Sequence, residues 1–424
     1  MRRTALGASG SVPDGDHRHT RRGPLPADTI RTRVRQGGVR LGRLTGRDPS
    51  LLRRINSTVV LRALRTADNC PTLTELVRSS GLSRPTVEQV VDGLIEGGLV
   101  AEATADPADA RRQGRPARRY RFRSEAGHLL GIEIGPHRVS AVLSNLRGKL
   151  LSAAERPVCE EACADERLEA ARAAVSDLLR RSEVARSSLR AVGVGSPGIV
   201  SGDGTVRLCT ALPGWTGLPL GERLRRSFRC PVLVENDANA AVLAERWKGA
   251  AVGCEDAVMV LAGLSPGAAS LIGGRLHRGY GGAAGEIGAL HLLGREAFPE
   301  RLLSTTGEPL HPLDEAAVAR VFALAREGDE GARQAVDRFL QRLVHDVAAL
   351  VLALDPELVV IGGWAAGLEG VLEPLRGELA RYCLRPPRVA SSLLGEAAVA
   401  TGALRLALDH LEQQLFTVGD EAAV

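Results

Sequence analysis

Apolar positions begin to recur at three- and four-residue intervals after Ser50. Leu52, Ile55, Val59 and Leu64 fall on one side of a helix, and Pro71 punctuates the chain after it. A second, short helix follows, capped by Thr72 or Thr74 and lined inside by Leu73, Leu76 and Val77; Gly81 supplies the left-handed residue that ends it. Ser83 caps a third helix with Pro85 in its first turn, where a missing N–H costs little, and Val87, Val90, Val91 and Leu94 face inward until Gly97-Gly98. Residues 99–103 and 118–123 then predict two short strands flanking a loop rich in Pro, Asp and Arg. Two helices, a tight turn, a third helix and a basic hairpin make the plan of a winged helix-turn-helix over residues 50–123.

The pattern changes after residue 124. Apolar strands are predicted at 129–134, 139–144 and 150–154, followed by a helix over 162–181. A strand over 189–194 runs into Gly195-Ser196-Pro197-Gly198, and a strand over 232–235 ends at Asn236-Asp237, directly before a helix over 238–247. Strands at 259–262, 270–273 and 358–363, with helices at 314–326, 330–354 and 397–415, complete the chain. Strands followed by helices, twice over, predict a two-lobed α/β body with a cleft between the lobes.

Composition narrows the class. The 424 residues are 44% hydrophobic and 25% charged, which excludes disorder throughout. The most apolar stretch, residues 343–360, is broken by His345, Asp346, Asp355 and Glu357, so no membrane span is expected. The N-terminus leads into no apolar signal segment, and the cytoplasm is the expected location. Seven scattered cysteines read as free, buried thiols instead of metal ligands.

Charge is uneven. The net +5 combines a basic head with an acidic body: eleven Arg face four Asp in residues 1–49, and seven Arg face three acids in residues 101–123. Such asymmetry suits a protein that meets a polyanion at one end. Residues 1–49 lack apolar periodicity and are read as a disordered basic arm, either a source of nonspecific phosphate contacts or without a role.

In a helix-turn-helix the first turn of the third helix meets base edges, which selects Arg84, Thr86 and Gln89. Arg111, Arg112, Arg115, Arg118 and Arg119 would contact phosphate, and the Gly114-Arg115-Pro116 corner is thin enough for a minor groove. The competing reading is a small helical bundle used for protein contact.

Two sets of motifs carry a resemblance. Ile55-Asn56, Gly81-Leu82-Ser83-Arg84-Pro85-Thr86-Val87, Leu94-Ile95-Glu96-Gly97-Gly98-Leu99-Val100 and Gly114-Arg115-Pro116-Ala117-Arg118 resemble the winged-helix head of regulators in the ROK family (repressor, open reading frame, kinase). Gly193-Val194-Gly195-Ser196-Pro197-Gly198, Leu212-Pro213-Gly214-Trp215, Glu235-Asn236-Asp237-Ala238-Asn239-Ala240-Ala241, Gly285-Glu286-Ile287-Gly288 and Ile361-Gly362-Gly363 resemble its body, over most of residues 124–424. The resemblance implies an actin-like, ribonuclease H-like two-lobed fold. It further implies that Asn236 and Asp237 hydrogen-bond sugar hydroxyls, with Glu286 beside them, and that Asp237 matches the general base of the family's kinases.

The chain departs from that family at the chemistry of phosphate. The first phosphate turn, Asp-Ile-Gly-Gly-Thr in kinases, reads Glu133-Ile134-Gly135-Pro136-His137, which loses an amide donor and a hydroxyl. The second reads Gly263-Leu264-Ser265-Pro266-Gly267 where Gly-Thr-Gly is usual. No enzymatic activity, and therefore no catalytic residue, is expected. The family's Glu-x-Gly-His motif ends in Ala289, and residues 290–382 contain no cysteine, so neither zinc nor another cofactor is expected.

These features predict a DNA-binding transcriptional regulator, a repressor, with three partners: a double-stranded operator, a small carbohydrate effector, and further copies of itself as a homodimer or homotetramer. The competing functions are a fused sugar kinase and a regulator governed by a protein partner.

Overall fold

In the computed structural model the chain is described over residues 49–67, 69–103, 117–263, 266–288, 303–305, 310, 314–367 and 370–416. The expected basic arm lies outside these residues.

The head follows the local signals closely. Helices α1 (Pro49–Thr66), α2 (Leu73–Ser80) and α3 (Arg84–Glu96) precede strands β1 (Val100–Ala103) and β2 (Arg119–Phe122), which pair antiparallel. Thr72 caps α2 in a reciprocal box with Glu75, Gly81 ends it at φ 69°, and Ser83 caps α3. The inner face of α1 differs from the expectation. Val60, Leu61 and Leu64 are buried, whereas Leu52 and Ile55 stay exposed, because only the C-terminal half of the helix lies over the core.

In the first lobe, β3 (His128–Ile134), β4 (Arg138–Asn145) and β5 (Leu150–Pro157) run antiparallel. Strands β6 (Leu189–Ser196) and β9 (Val232–Asn236) extend β3 in parallel, giving the order β5-β4-β3-β6-β9. A small ribbon, β7 (Ile199–Val200) and β8 (Val206–Leu208), leaves the end of β6. Helix α4 (Ala164–Arg181) and the short α5 (Leu220–Arg225) contribute to a core that closes on the fully buried Trp215, whose Nε1 donates to Ser196 Oγ at 2.8 Å.

The second lobe repeats the plan. Strands β10 (Ala257–Leu261), β11 (Gly267–Ile272) and β12 (Arg275–His277) are antiparallel, and β13 (Leu358–Gly362) and β14 (Arg388–Ser391) extend β10 in parallel, in the order β12-β11-β10-β13-β14. The recurrence of one strand order in both lobes is the two-lobed actin-like arrangement. Between the sheets lie α6 (Asp237–Lys248) and the C-terminal α10 (Ala398–Phe416), while α7 (Glu315–Glu327), α8 (Glu330–Leu354) and α9 (Leu372–Tyr382) pack on the second lobe.

Head and body share a core. Val60, Leu64, Val100, Tyr120 and Phe122 of the head are buried in one cluster with Leu129, Val142, Leu404, Leu408 and Leu411 of the body. Arg65 of α1 pairs with Glu412 of α10 at 2.6 Å, and Arg147 reaches the Leu64 carbonyl while lying 5.8 Å from the Phe122 ring centroid.

The cysteine expectation needs correction. Cys209, Cys254 and Cys383 are buried, but Cys159 and Cys163 are exposed in the loop leading into α4, where no sheet or helix covers them. All seven are free, and among the described residues no helix is long and apolar enough to cross a membrane.

Helix α10 meets its neighbours backbone to backbone. A Cβ on Gly402 would sit 1.7 Å from the Ala240 carbonyl oxygen of α6, and one on Gly193 would sit 1.8 Å from the Ala403 carbonyl oxygen. Neither contact can relax by a rotamer change. Gly402→Ala should therefore lower unfolding free energy by about 2 kcal/mol or more, read from the urea midpoint.

Candidate functional site

Two regions carry chemistry, one in the head and one where the lobes meet. In the head, Ser83 Oγ accepts from the Thr86 amide at 3.4 Å and shares a hydrogen bond with the Thr86 hydroxyl at 2.7 Å, which fixes the first turn of α3. Arg84 and Gln89 are exposed on that helix, and Thr86 is half-buried. Arg84 Nε donates to Glu88 Oε1 at 3.2 Å, a surface pair that a stronger acceptor can displace. Arg118 is exposed on the hairpin and pairs across it with Glu102 at 3.1 Å.

Arg119 is placed differently. It is half-buried, its Nη1 donates to the Cys70 carbonyl at 3.0 Å and lies 3.8 Å from Glu75, so it ties the hairpin to α2 and would have to break that joint to meet phosphate. Arg111, Arg112 and Arg115, with the Gly114-Arg115-Pro116 corner, lie outside the described residues.

In the body, β3, β6 and β9 end side by side, with Glu133, Gly195 and Glu235 in register. The next residues of β9 start α6. Asn236 is its N-cap: Oδ1 accepts from the Asn239 amide at 3.1 Å, while Nδ2 donates to the Gly198 carbonyl at 3.1 Å and to Asp237 Oδ1 at 2.9 Å. Both ends of that side chain are thus engaged within the protein. Asn236 positions Asp237 more than it offers groups of its own.

Asp237 Oδ1 also accepts from the Ala238 amide at 2.8 Å, which leaves Oδ2 without a protein partner among the described residues. Burial pushes the Asp237 carboxyl above its ordinary range, against the hydrogen bonds that favour the charged form. Glu286 follows a turn held on β11 by the Gly285 carbonyl, which accepts from the Ala268 amide at 2.9 Å. Its side chain remains reachable from solvent, yet partial burial and the Asp237 charge push it up as well. The structure therefore brings Asn236, Asp237 and Glu286 together.

Glu235 is a site residue that spacing did not reveal. Buried, it accepts from Asn239 Nδ2 at 2.9 Å through Oε1 and from both Nε and Nη2 of Arg278 at 2.7 Å through Oε2. That pair joins the end of β9 in the first lobe to the segment leading to Glu286 in the second.

At the first phosphate turn the backbone is already committed. The Gly135 amide donates to the Arg138 carbonyl at 2.9 Å, and Pro136 has none to offer. Fully buried Arg167 grips the turn from within, donating to the carbonyls of Gly135, Pro136, Cys159, Glu160 and Ala162 at 2.7 to 3.2 Å. The His137 ring lies between Glu160 of the first lobe and Glu315 of α7, 3.5 Å from each. Arg138 pairs with Glu396 at 2.6 Å and with Glu155 at 3.6 Å. Side chains thus bridge the lobes at this turn. Leu264 and Ser265 of the second turn, and Ala289, lie outside the described residues, and among those described no three His, Cys, Asp or Glu side chains cluster as a metal site.

The ROK family profile matches residues 129–410, and the IclR helix-turn-helix domain profile matches residues 56–103. A xylose repressor of Caldicellulosiruptor bescii is 27% identical over 357 residues, 77% of this chain and 88% of that protein. A glucokinase of Halalkalibacterium halodurans is 30% identical over 244 residues, 51% of this chain and 73% of that one. Among solved structures, a ROK family transcriptional regulator homologous to the E. coli MLC protein superposes with a TM-score of 0.64 at 20% identity, over 86% of this chain and 99% of that one.

Glu133 offers a pH-dependent reporter of the site. Burial, resisted by Arg138, pushes its carboxyl up to about 7 from an ordinary value of 4.5. The native state holds this proton more tightly than the unfolded chain, so the associated stability is full below about pH 4.5 and is lost as pH rises through about 7. Glu133→Gln should raise Tm relative to the parent protein most at about pH 8, and the gain should vanish toward about pH 4.5.

Proposed function

This chain belongs to the ROK family, and from that premise we propose that it is a sequence-specific DNA-binding transcriptional regulator, a repressor, controlled by a sugar or sugar derivative held at Asp237 and Glu286. The observation that carries this reading is the placement of α10. It packs on α6, which begins at Asp237, and its outer face closes the core of the head and receives Arg65. A ligand that shifts α6 relative to the sheets thereby acts on the element that seats α1, and differential affinity for two such seatings sets the response.

Arg84, Thr86 and Gln89 read bases, Arg118 contacts phosphate once released from Glu102, and Arg111, Arg112 and Arg115 contact phosphate as well. Two heads spaced about one helical turn apart match a near-palindromic operator, so the protein works as a homodimer or homotetramer. It acts in the cytoplasm on chromosomal DNA. The body binds without transferring phosphate, because the Gly135 amide is spent, Pro136 has no donor and His137 bridges the lobes.

Operator selection from random-sequence DNA, followed by binding assays with and without a sugar panel, tests the reading. Arg84→Ala should lose about 1 to 3 kcal/mol of discrimination between operator and random DNA, whereas Arg118→Ala should weaken both alike and flatten the salt dependence. Loss of the Arg65 to Glu412 tie in Glu412→Gln should leave operator affinity in the absence of sugar nearly intact and shrink the sugar-induced change, whose usual size is about 5- to 150-fold. ATP-dependent phosphorylation of any hexose, abolished in Asp237→Ala, would favour a fused kinase instead.

A further inference from the structure

We infer that Glu133 is a third ligand-contacting arm of the body's site, and that the site it completes takes polyhydroxylated ligands bearing neither phosphate nor carboxylate. The inference rests on the reading of the body as a sugar sensor and adds to it a residue and a charge class.

Position comes first. Glu133 stands level with Gly195 and Glu235 at the carboxyl end of three parallel strands, and the residues after Glu235 are Asn236 and Asp237. In open α/β sheets that edge is where ligands are received. Glu133 and Asp237 lie near enough for the charge of one to raise the other.

Hydrogen bonding comes second. Glu133 Oε2 is buried with no partner among the described residues, a costly condition that a ligand hydroxyl relieves. Asp237 Oδ2 is likewise left over once Asn236 and Ala238 have engaged Oδ1. Two unfilled acceptors, one at the end of β3 and one just after β9 with β6 between them, match a molecule with several donors. A carboxyl that holds its proton to about pH 7 can also donate to a ring or hydroxyl oxygen.

Charge comes third. The groups facing Glu133 are Arg138 from β4, Glu155 from β5, Glu396 ahead of α10 and Asp237 at α6. Arg138 is the cation of that set, and it is held by Glu396 and Glu155. Arg167 spends its donors on five carbonyls, and Arg278 is paired with Glu235. A phosphate brought among Glu133, Asp237 and Glu286 would meet three carboxyls, of which Asp237 already raises the other two, without an amide of the Gly135-Pro136 turn to receive it. Hydroxyls, or an amine, meet the same carboxyls as donors.

Isothermal titration of the full-length protein against matched probes tests this: D-glucose with glucose 6-phosphate, N-acetyl-D-glucosamine with its 6-phosphate, and D-xylose and D-glucosamine alone. The unphosphorylated member of a pair should bind at least about tenfold tighter, and Glu133→Leu should weaken it at least about tenfold while Glu133→Gln, which keeps a donor and an acceptor, retains most of the affinity. Both variants are first checked for cooperative unfolding. Equal or tighter binding of a phosphorylated member would overturn the charge class while leaving the sensor reading in place. A Kd unchanged in Glu133→Leu would overturn the contact. Silence across all six probes would overturn the inference and the sensor reading together.

Discussion

Everything in this molecule hangs on how closely α10 can approach its neighbours. Its backbone touches α6 at Gly402 and the first-lobe sheet at Gly193 with no side chain between. At that distance packing is a matter of rigid peptide units, and small displacements cannot be absorbed by side-chain adjustment. The same helix carries Leu404, Leu408 and Leu411 into the core of the head. Site, sheet and head are therefore referenced to one element.

The electrostatics of the body divide along the same line. At the Gly135-Pro136 turn the cations are engaged, Arg167 by carbonyls and Arg138 by two carboxylates, and the His137 ring lies between Glu160 and Glu315. Around Asp237 carboxyls predominate, and their charged forms are disfavoured by burial and, for Glu133 and Glu286, by the Asp237 charge. The Gly135-Pro136 turn is thereby a structural joint, while Glu133 Oε2 beside it keeps an acceptor with no partner among the described residues.

How much of this was legible in the sequence depended on range. Thr72, Gly81 and Ser83 act within a few residues of themselves, so caps and turns could be read directly. The strand ends at Asn236-Asp237 were equally plain, because a cap must precede its helix. The covered face of α1 is not legible locally, since the spacing of Leu52, Ile55, Val59 and Leu64 satisfies a helix but only tertiary contact decides which turns are covered. The bond of Asn236 to the Gly198 carbonyl depends on a turn 38 residues away and is not legible from the motif itself. The Glu235 to Arg278 tie and the inward turn of Arg119 are of the same kind: ordinary surface residue types whose partners the fold alone supplies. Glu133 reads in the sequence as a departure from the family's motif, and the burial of its unpartnered oxygen is supplied by the fold.

The shared core has a consequence for modularity. A chain boundary near residue 123 separates two recognisable parts, but Val60, Leu64, Tyr120 and Phe122 are buried against residues that return from the far C-terminus. Excising the head would strip that cluster of half its wall and expose apolar surface to water. Grafting it onto another ligand-binding body would succeed only if the recipient brought a terminal helix with the same outer face. In evolutionary terms, the head and the last helix must change as a pair, so recombination at the visible domain border is penalised.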